Sequence, residues 1–186
     1  GGLFETYYEN GQLETRGNIK NGQEHGLFEM YYENGQLREK HLYKNGIKHG
    51  LFETYYENGQ LKEKGFYKDG KLHGFLETYY ENGQLSERGF VKDGVPHDGL
   101  IETYYENGQL GGRVNLKNGK PHGLFEMYYE NGQLNKRGFF KDGVPQDGGL
   151  FETYYENGQL ETRGNIKNGQ EHGLFEMYYE NGQLRE

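Results

Sequence analysis

The sequence predicts an all-β protein: a single antiparallel up-and-down meander of repeated β-hairpins, about 15 or 16 strands in all, twisted or curled into a repeat sheet. Three observations predict it. The heptapeptide YYENGQL starts at Tyr7, Tyr31, Tyr55, Tyr79, Tyr104, Tyr128, Tyr154 and Tyr178, at intervals of 24 to 26 residues. Apolar and polar residues alternate around it, as in Leu3-Phe4-Glu5-Thr6-Tyr7, which is strand periodicity. Between heptapeptides a second turn signal, Lys then Asn or Asp then Gly, recurs at Lys20, Lys44, Lys68, Lys92, Lys117, Lys141 and Lys167. The phase is unbroken, so residues 1–186 read as one continuous array of about 7.5 hairpin repeats.

Each element follows in order from the first repeat. The run from Leu3 to Tyr8 is the first strand, and Asn10-Gly11 is the first turn, read as a two-residue type I′ hairpin turn. That turn opposes Tyr8 to Leu13, Tyr7 to Glu14 and Glu5 to Arg16. The second strand runs from Leu13 to Lys20, and Asn21-Gly22 returns the chain to Leu27. Charge checks the register: Glu5/Arg16, Glu29/Lys40, Glu53/Lys64, Glu77/Arg88, Glu102/Arg113, Glu126/Arg137 and Glu152/Arg163 are all opposed pairs of unlike sign. A slip of one residue would turn every side chain to the wrong face.

Alternation then assigns the faces. Phe4, Tyr8, Leu13 and Ile19 form the core face, with Thr6 and Gly17. Leu3, Glu5, Tyr7, Glu14 and Arg16 form the other. The first Tyr of each pair (Tyr7, Tyr31, Tyr55, Tyr79, Tyr104, Tyr128, Tyr154, Tyr178) is expected to make an exposed row and is the candidate binding surface, for peptide or for sugar rings. Four large apolar groups cannot offset the ordering of a whole repeat, so a lone repeat should be unfolded and stacking must supply stability.

Composition narrows the function classes. Net charge is -8, which disfavours nucleic acid as a partner. Mean hydropathy is -1.12, and no apolar run is long enough for a transmembrane segment. Hydrophobic residues are only 32%, yet aromatics reach 16% and glycines recur at fixed phases, which favours an ordered fold over disorder. The absence of Cys removes disulfides and thiolate metal sites and leaves the compartment open.

The pattern of YYxNGxL, then Gly, then a Lys-[Asn/Asp]-Gly turn resembles the bacterial variant of the MORN repeat, over essentially the whole chain. The resemblance implies twisted antiparallel sheets built from hairpins, scaffold or antitoxin-like roles, and no catalytic residues.

No enzymatic role, cofactor or metal is expected. Ser86 is the only serine, every Asp lies in or beside a second turn, and the Glu residues are spread evenly along the repeat. His25, His49, His73, His122 and His172 recur before the Gly that closes the second turn, with His97 nearby. Equivalent positions two strands apart lie roughly 9–10 Å from each other, too far for one zinc whose ligands sit about 2 Å away. Two longer second turns, Val95-Pro96-His97-Asp98 and Val144-Pro145-Gln146-Asp147, read as length variation.

Residues 2–39 are identical to residues 149–186, a period of 147 residues above the repeat itself. With no polar capping repeat at either end, the chain is expected to be a segment of a longer array or to stack end to end. The reading is a self-assembling, filament-forming structural scaffold, whose partner is a second copy by head-to-tail or sheet-on-sheet contact. The alternative is a protein- or peptide-binding module, or a carbohydrate binder along the Tyr row.

Overall fold

A computed structural model describes residues 1–145, 150–167 and 170–185, with residues 166, 167 and 170–174 traced by backbone alone. The turn expected at Lys167, the Gln146-Asp147 part of the second inserted loop, and the His172 side chain lie outside the described residues.

Among the described residues every regular element is a strand, and the strands form an antiparallel up-and-down meander. Two compact units divide it, Gly1–Pro96 and His97–Glu186, the boundary falling inside the first inserted loop. The first unit runs β1 (Gly2–Tyr7), β2 (Leu13–Lys20), β3 (Gln23–Tyr31), β4 (Leu37–Lys44), β5 (Ile47–Lys48), β6 (Gly50–Tyr55), β7 (Leu61–Lys68), β8 (Lys71–Tyr79), β9 (Leu85–Lys92) and β10 (Val95–Pro96). The second runs β11 (Gly99–Tyr104), β12 (Leu110–Lys117), β13 (Lys120–Tyr128), β14 (Leu134–Lys141), β15 (Val144–Pro145), β16 (Leu150–Tyr154), β17 (Leu160–Lys167) and β18 (Gln170–Met177). Eighteen strands replace the expected 15 or 16 because β5, β10 and β15 are short pieces, each set off from the strand that follows it.

The register between charges is the expected one. Glu5 pairs with Arg16, and all seven predicted Glu–base pairs are opposed across their strands. The turn chemistry differs from expectation. Tyr7 pairs with Leu13, not Glu14, because the register shifts by one residue between Thr6 and Tyr7. A type I′ turn needs positive φ at both central residues. At the first turn only Gly11 has it (85°), with Gly11 N donating to Tyr8 O at 3.0 Å and Tyr8 N donating to Gln12 O at 2.9 Å. This is a three-residue loop closed by a glycine bulge. The two-residue turn with both φ positive sits instead at Asn21 (53°) and Gly22 (77°), flanked by the Lys20–Gln23 pair.

A second irregularity recurs where β2 meets β3, β7 meets β8, β12 meets β13 and β17 meets β18. Arg16 pairs with Glu29 but Asn18 with His25, so Gly17 alone opposes three residues, among them Gly26 at φ 79°. The glycine on the short side has a packing reason: a Cβ on Gly17 would fall 2.5 Å from the Phe28 ring. Aromatic rings therefore lie directly over glycine backbone, and Phe28 and Phe52 are only 5% and 3% exposed. Phe28 meets Tyr43 edge-on at 5.2 Å, and Phe52 meets Tyr67 at 4.9 Å. In the second unit Phe125 packs on Phe140 at 4.8 Å, and Leu116 is buried.

Candidate binding face and the connections between repeats

The Tyr row begins with the residue before each first turn. Alternation along β1 places Leu3, Glu5 and Tyr7 on one face, and Tyr7 Oη reaches back two residues to donate to the Glu5 carboxylate at 3.0 Å. The same bond recurs in every repeat. Tyr31, Tyr55, Tyr79, Tyr104, Tyr128, Tyr154 and Tyr178 donate to Glu29, Glu53, Glu77, Glu102, Glu126, Glu152 and Glu176. Tyr7 is 58% exposed, whereas the other seven are half-buried.

The carboxylates in turn belong to an alternating charge row. Arg16, Lys40 and Lys64 each oppose a Glu on both sides: Glu5, Arg16, Glu29, Lys40, Glu53, Lys64, Glu77 and Arg88 follow one another across the first unit. Glu152 shows the row at its tightest in the second unit. It is 1% exposed, with Arg137 Nε at 2.9 Å, Arg163 Nη2 at 3.0 Å and Tyr154 Oη at 3.1 Å. Burial pushes its carboxyl up, but these three donors outweigh that and hold it below the usual carboxylate range. Burial, reinforced by hydrogen bonds to Glu53 and Glu77, pushes the Tyr55 and Tyr79 phenols up to about 12.

Large apolar groups share this face. Leu27 opposes Leu42, Leu51 opposes Phe66, and Phe75 opposes Phe90 with ring centroids 4.4 Å apart. Leu27, Leu42, Phe66 and Phe75 are exposed. Beside the second turns, Lys68, Asp69, Lys71, His73, Lys92 and Asp93 line an open cleft of about 420 Å³ with mixed charge.

Within each unit the second Tyr of a pair reaches into the repeat that follows it. Tyr8 Oη donates to Tyr31 O at 2.6 Å, Tyr32 to Tyr55 O at 2.5 Å, and Tyr56 to Tyr79 O at 2.6 Å. In the second unit Tyr105, Tyr129 and Tyr155 donate to Tyr128 O, Tyr154 O and Tyr178 O. Asn10 works in two directions: Oδ1 accepts from Gln12 N at 2.9 Å, and Nδ2 donates to Glu33 O at 3.1 Å. The Gln12 side chain lies against Gly35, where an added Cβ would meet Oε1 at 3.4 Å. YYENGQL is therefore a connector as well as a turn. Sequence reasoning missed this role, although a signal was present: Asn and Gln recur unchanged where packing alone asks for neither.

Of the other residues expected on the core face, Phe4 pairs with Gly17 and sits 6.5 Å from Phe28 but is 41% exposed, and Ile19 pairs with Gly2 and Glu24. Tyr8 and Leu13 are half-buried beside the first turn. His41, not singled out from the sequence, takes the place Gly17 holds in the first repeat. It is buried and stacks on Phe52 at 5.6 Å and 7°. Burial, helped by Lys48, pushes its imidazole below the ordinary histidine range against the opposing pull of Glu39. In the His row, His49 Nδ1 accepts from Asp69 N at 3.4 Å and His122 Nδ1 lies 3.8 Å from Asp142. Among the described residues no group of three or more His, Asp or Glu could hold a metal ion, and no helix is long and apolar enough to cross a membrane.

Eight segments of the chain match the family model described as MORN repeat variant: residues 1–21, 24–45, 48–69, 72–93, 98–118, 121–142, 147–168 and 171–186. No curated protein matches the chain.

Proposed function

Since the chain belongs to the MORN repeat variant family, we propose that it is a non-catalytic scaffold that self-assembles by end-to-end pairing of its sheets. The observation that carries the reading is that neighbouring repeats are joined by the same bonds along the array: Glu152 takes an arginine from the strand on each side, and Tyr8, Tyr32 and Tyr56 each donate to a main-chain carbonyl of the next repeat. A repeat of a second copy presents the same groups and can dock as the next repeat of one chain does. The contact is head-to-tail and does not close, so it propagates into filaments.

Light scattering over a concentration series, followed by electron microscopy, tests the proposal. Mass that grows with concentration and elongated particles support it. A monodisperse monomer at every concentration overturns it.

A second reading is a binding module, protein- or peptide-directed and antitoxin-like. It is favoured by the exposed Leu27, Leu42, Phe66 and Phe75 on the face that carries Tyr31, Tyr55 and Tyr79. Replacing those three tyrosines by Ala should abolish capture of a partner while the chain stays soluble. Glycan-array signal lost in the same variant would assign the face to carbohydrate.

A further inference from the structure

Asparagine followed by glycine is chemically labile, because glycine leaves the next main-chain nitrogen unhindered as a nucleophile toward the side-chain amide. This chain holds that pair in two different settings. In the first turns both reactants are tied. Asn131 Oδ1 accepts from Gln133 N and Nδ2 donates to Glu156 O, each at 2.9 Å. The nitrogen that would attack, Gly132 N, donates to Tyr129 O at 2.9 Å.

The second turns are looser. Asn21, Asn45 and Asn118 are exposed, and among the described residues their side chains take no hydrogen bond. Their nucleophiles are not equal. Gly46 N donates to Glu24 O at 2.9 Å, whereas Gly22 N and Gly119 N have no backbone acceptor among the described residues.

We propose that Asn118 and Asn21 are sites of spontaneous deamidation in the folded protein, that Asn45 is a slower one, and that the fold protects the first-turn asparagines. Solvent base removes the amide proton of Gly119, and the nitrogen adds to Cγ of Asn118. The Cγ–Nδ2 bond breaks, and Nδ2 takes up a proton and leaves as ammonia. Water then opens the cyclic imide. Opening at Cγ yields aspartate; opening at the main-chain carbonyl yields isoaspartate.

The first product fits the site. Asp69, Asp93 and Asp142 already occupy the same turn position at φ 50–52°, against 53° at Asn118. The second lengthens the main chain inside a two-residue turn and disturbs the Lys117–Lys120 pairing. Either product places a new carboxylate beside the turn lysine, making the net charge of -8 more negative.

The test uses the full chain in mildly alkaline buffer, with tryptic peptides read by fragment-ion mass spectrometry. One peptide, residues 118–136, carries both Asn118 and Asn131, so each setting controls for the other. Because Asn131 must first release its hydrogen bonds, Asn118 should convert about tenfold faster or more, with Asn45 between them. In urea the difference should disappear. Equal rates in the folded protein, or a difference that persists in urea, would overturn the proposal.

Discussion

The hydroxyl of Tyr56 donates to the carbonyl oxygen of Tyr79 at 2.6 Å, so the second Tyr of one repeat is bonded to the first Tyr of the next. The bond is short, partly buried and repeated. It connects repeats where a turn residue would otherwise serve only its own hairpin. Tyr56→Phe removes it and leaves the Tyr79 carbonyl without that donor. A loss of about 0.5–1.5 kcal/mol is expected, read as a lower urea midpoint with unchanged slope.

Glu152 is the point where three donors converge on one carboxylate with 1% exposure. Glu152→Gln keeps the shape but removes the charge that Arg137 and Arg163 share. Since both arginines are half-exposed and can rehydrate, a cost of about 1–3 kcal/mol is expected. Glu5→Gln, with one arginine at 3.3 Å, should cost less. Equal costs in urea unfolding would contradict the role given to the two-sided pairing.

The tyrosine row sets an alkaline limit. Tyr55 and Tyr79 are held at about 12, whereas an unfolded chain ionises its tyrosines at about 10. Above that value the unfolded state binds fewer protons than the folded state, so stability falls as pH rises. The stabilisation is complete below about pH 10 and is lost as pH rises toward about 12. Thermal melts across this window, with phenolate absorbance followed alongside, should show late ionisation at these residues. Tyr55→Phe with Tyr79→Phe should flatten the decline.

His41 sets an acid limit of the opposite sign. Its pKa is lowered by burial first and by Lys48 second, so the unfolded chain takes up the proton earlier. The stabilisation is present above about pH 6.5 and is lost as pH falls through that value and below. His41→Phe keeps a ring against Phe52 and should remove this part of the pH dependence. An unchanged acid profile would place the sensitivity elsewhere.

Gly65 lies under Phe52, and a Cβ there would fall 2.8 Å from the ring. Gly65→Ala should cost about 1–3 kcal/mol through overpacking, measurable by chemical denaturation.

Much of this fold was legible because charge and period reported on the same register. The Glu5–Arg16 pairing follows from counting outward from a two-residue turn, and the bulge between Thr6 and Tyr7 leaves it unchanged. Asn-Gly satisfies two turn chemistries. At Asn10-Gly11 the repeat-to-repeat bond from Asn10 Nδ2 to Glu33 O accompanies the glycine bulge; at Asn21-Gly22 both residues take positive φ. Strand alternation alone does not report such a bond, so the shift that opposes Tyr7 to Leu13 was not legible. The tyrosine row is legible as a periodic feature. Its bonds to Glu are not, because a residue two positions back on a strand shares the face without being an obvious partner.

Deletion of one period in phase tests most directly the central claim, that each repeat is held by contacts to its neighbours. Removing residues 55–78, a segment of 24 residues, joins Thr54 to Tyr79 and restores every connector. The shortened chain should be a folded β protein with a smaller urea slope and lower stability. Removing half a period should leave an unpaired strand and fail to fold. An in-phase deletion that unfolds the chain, or a half-period deletion that is tolerated equally well, would contradict it.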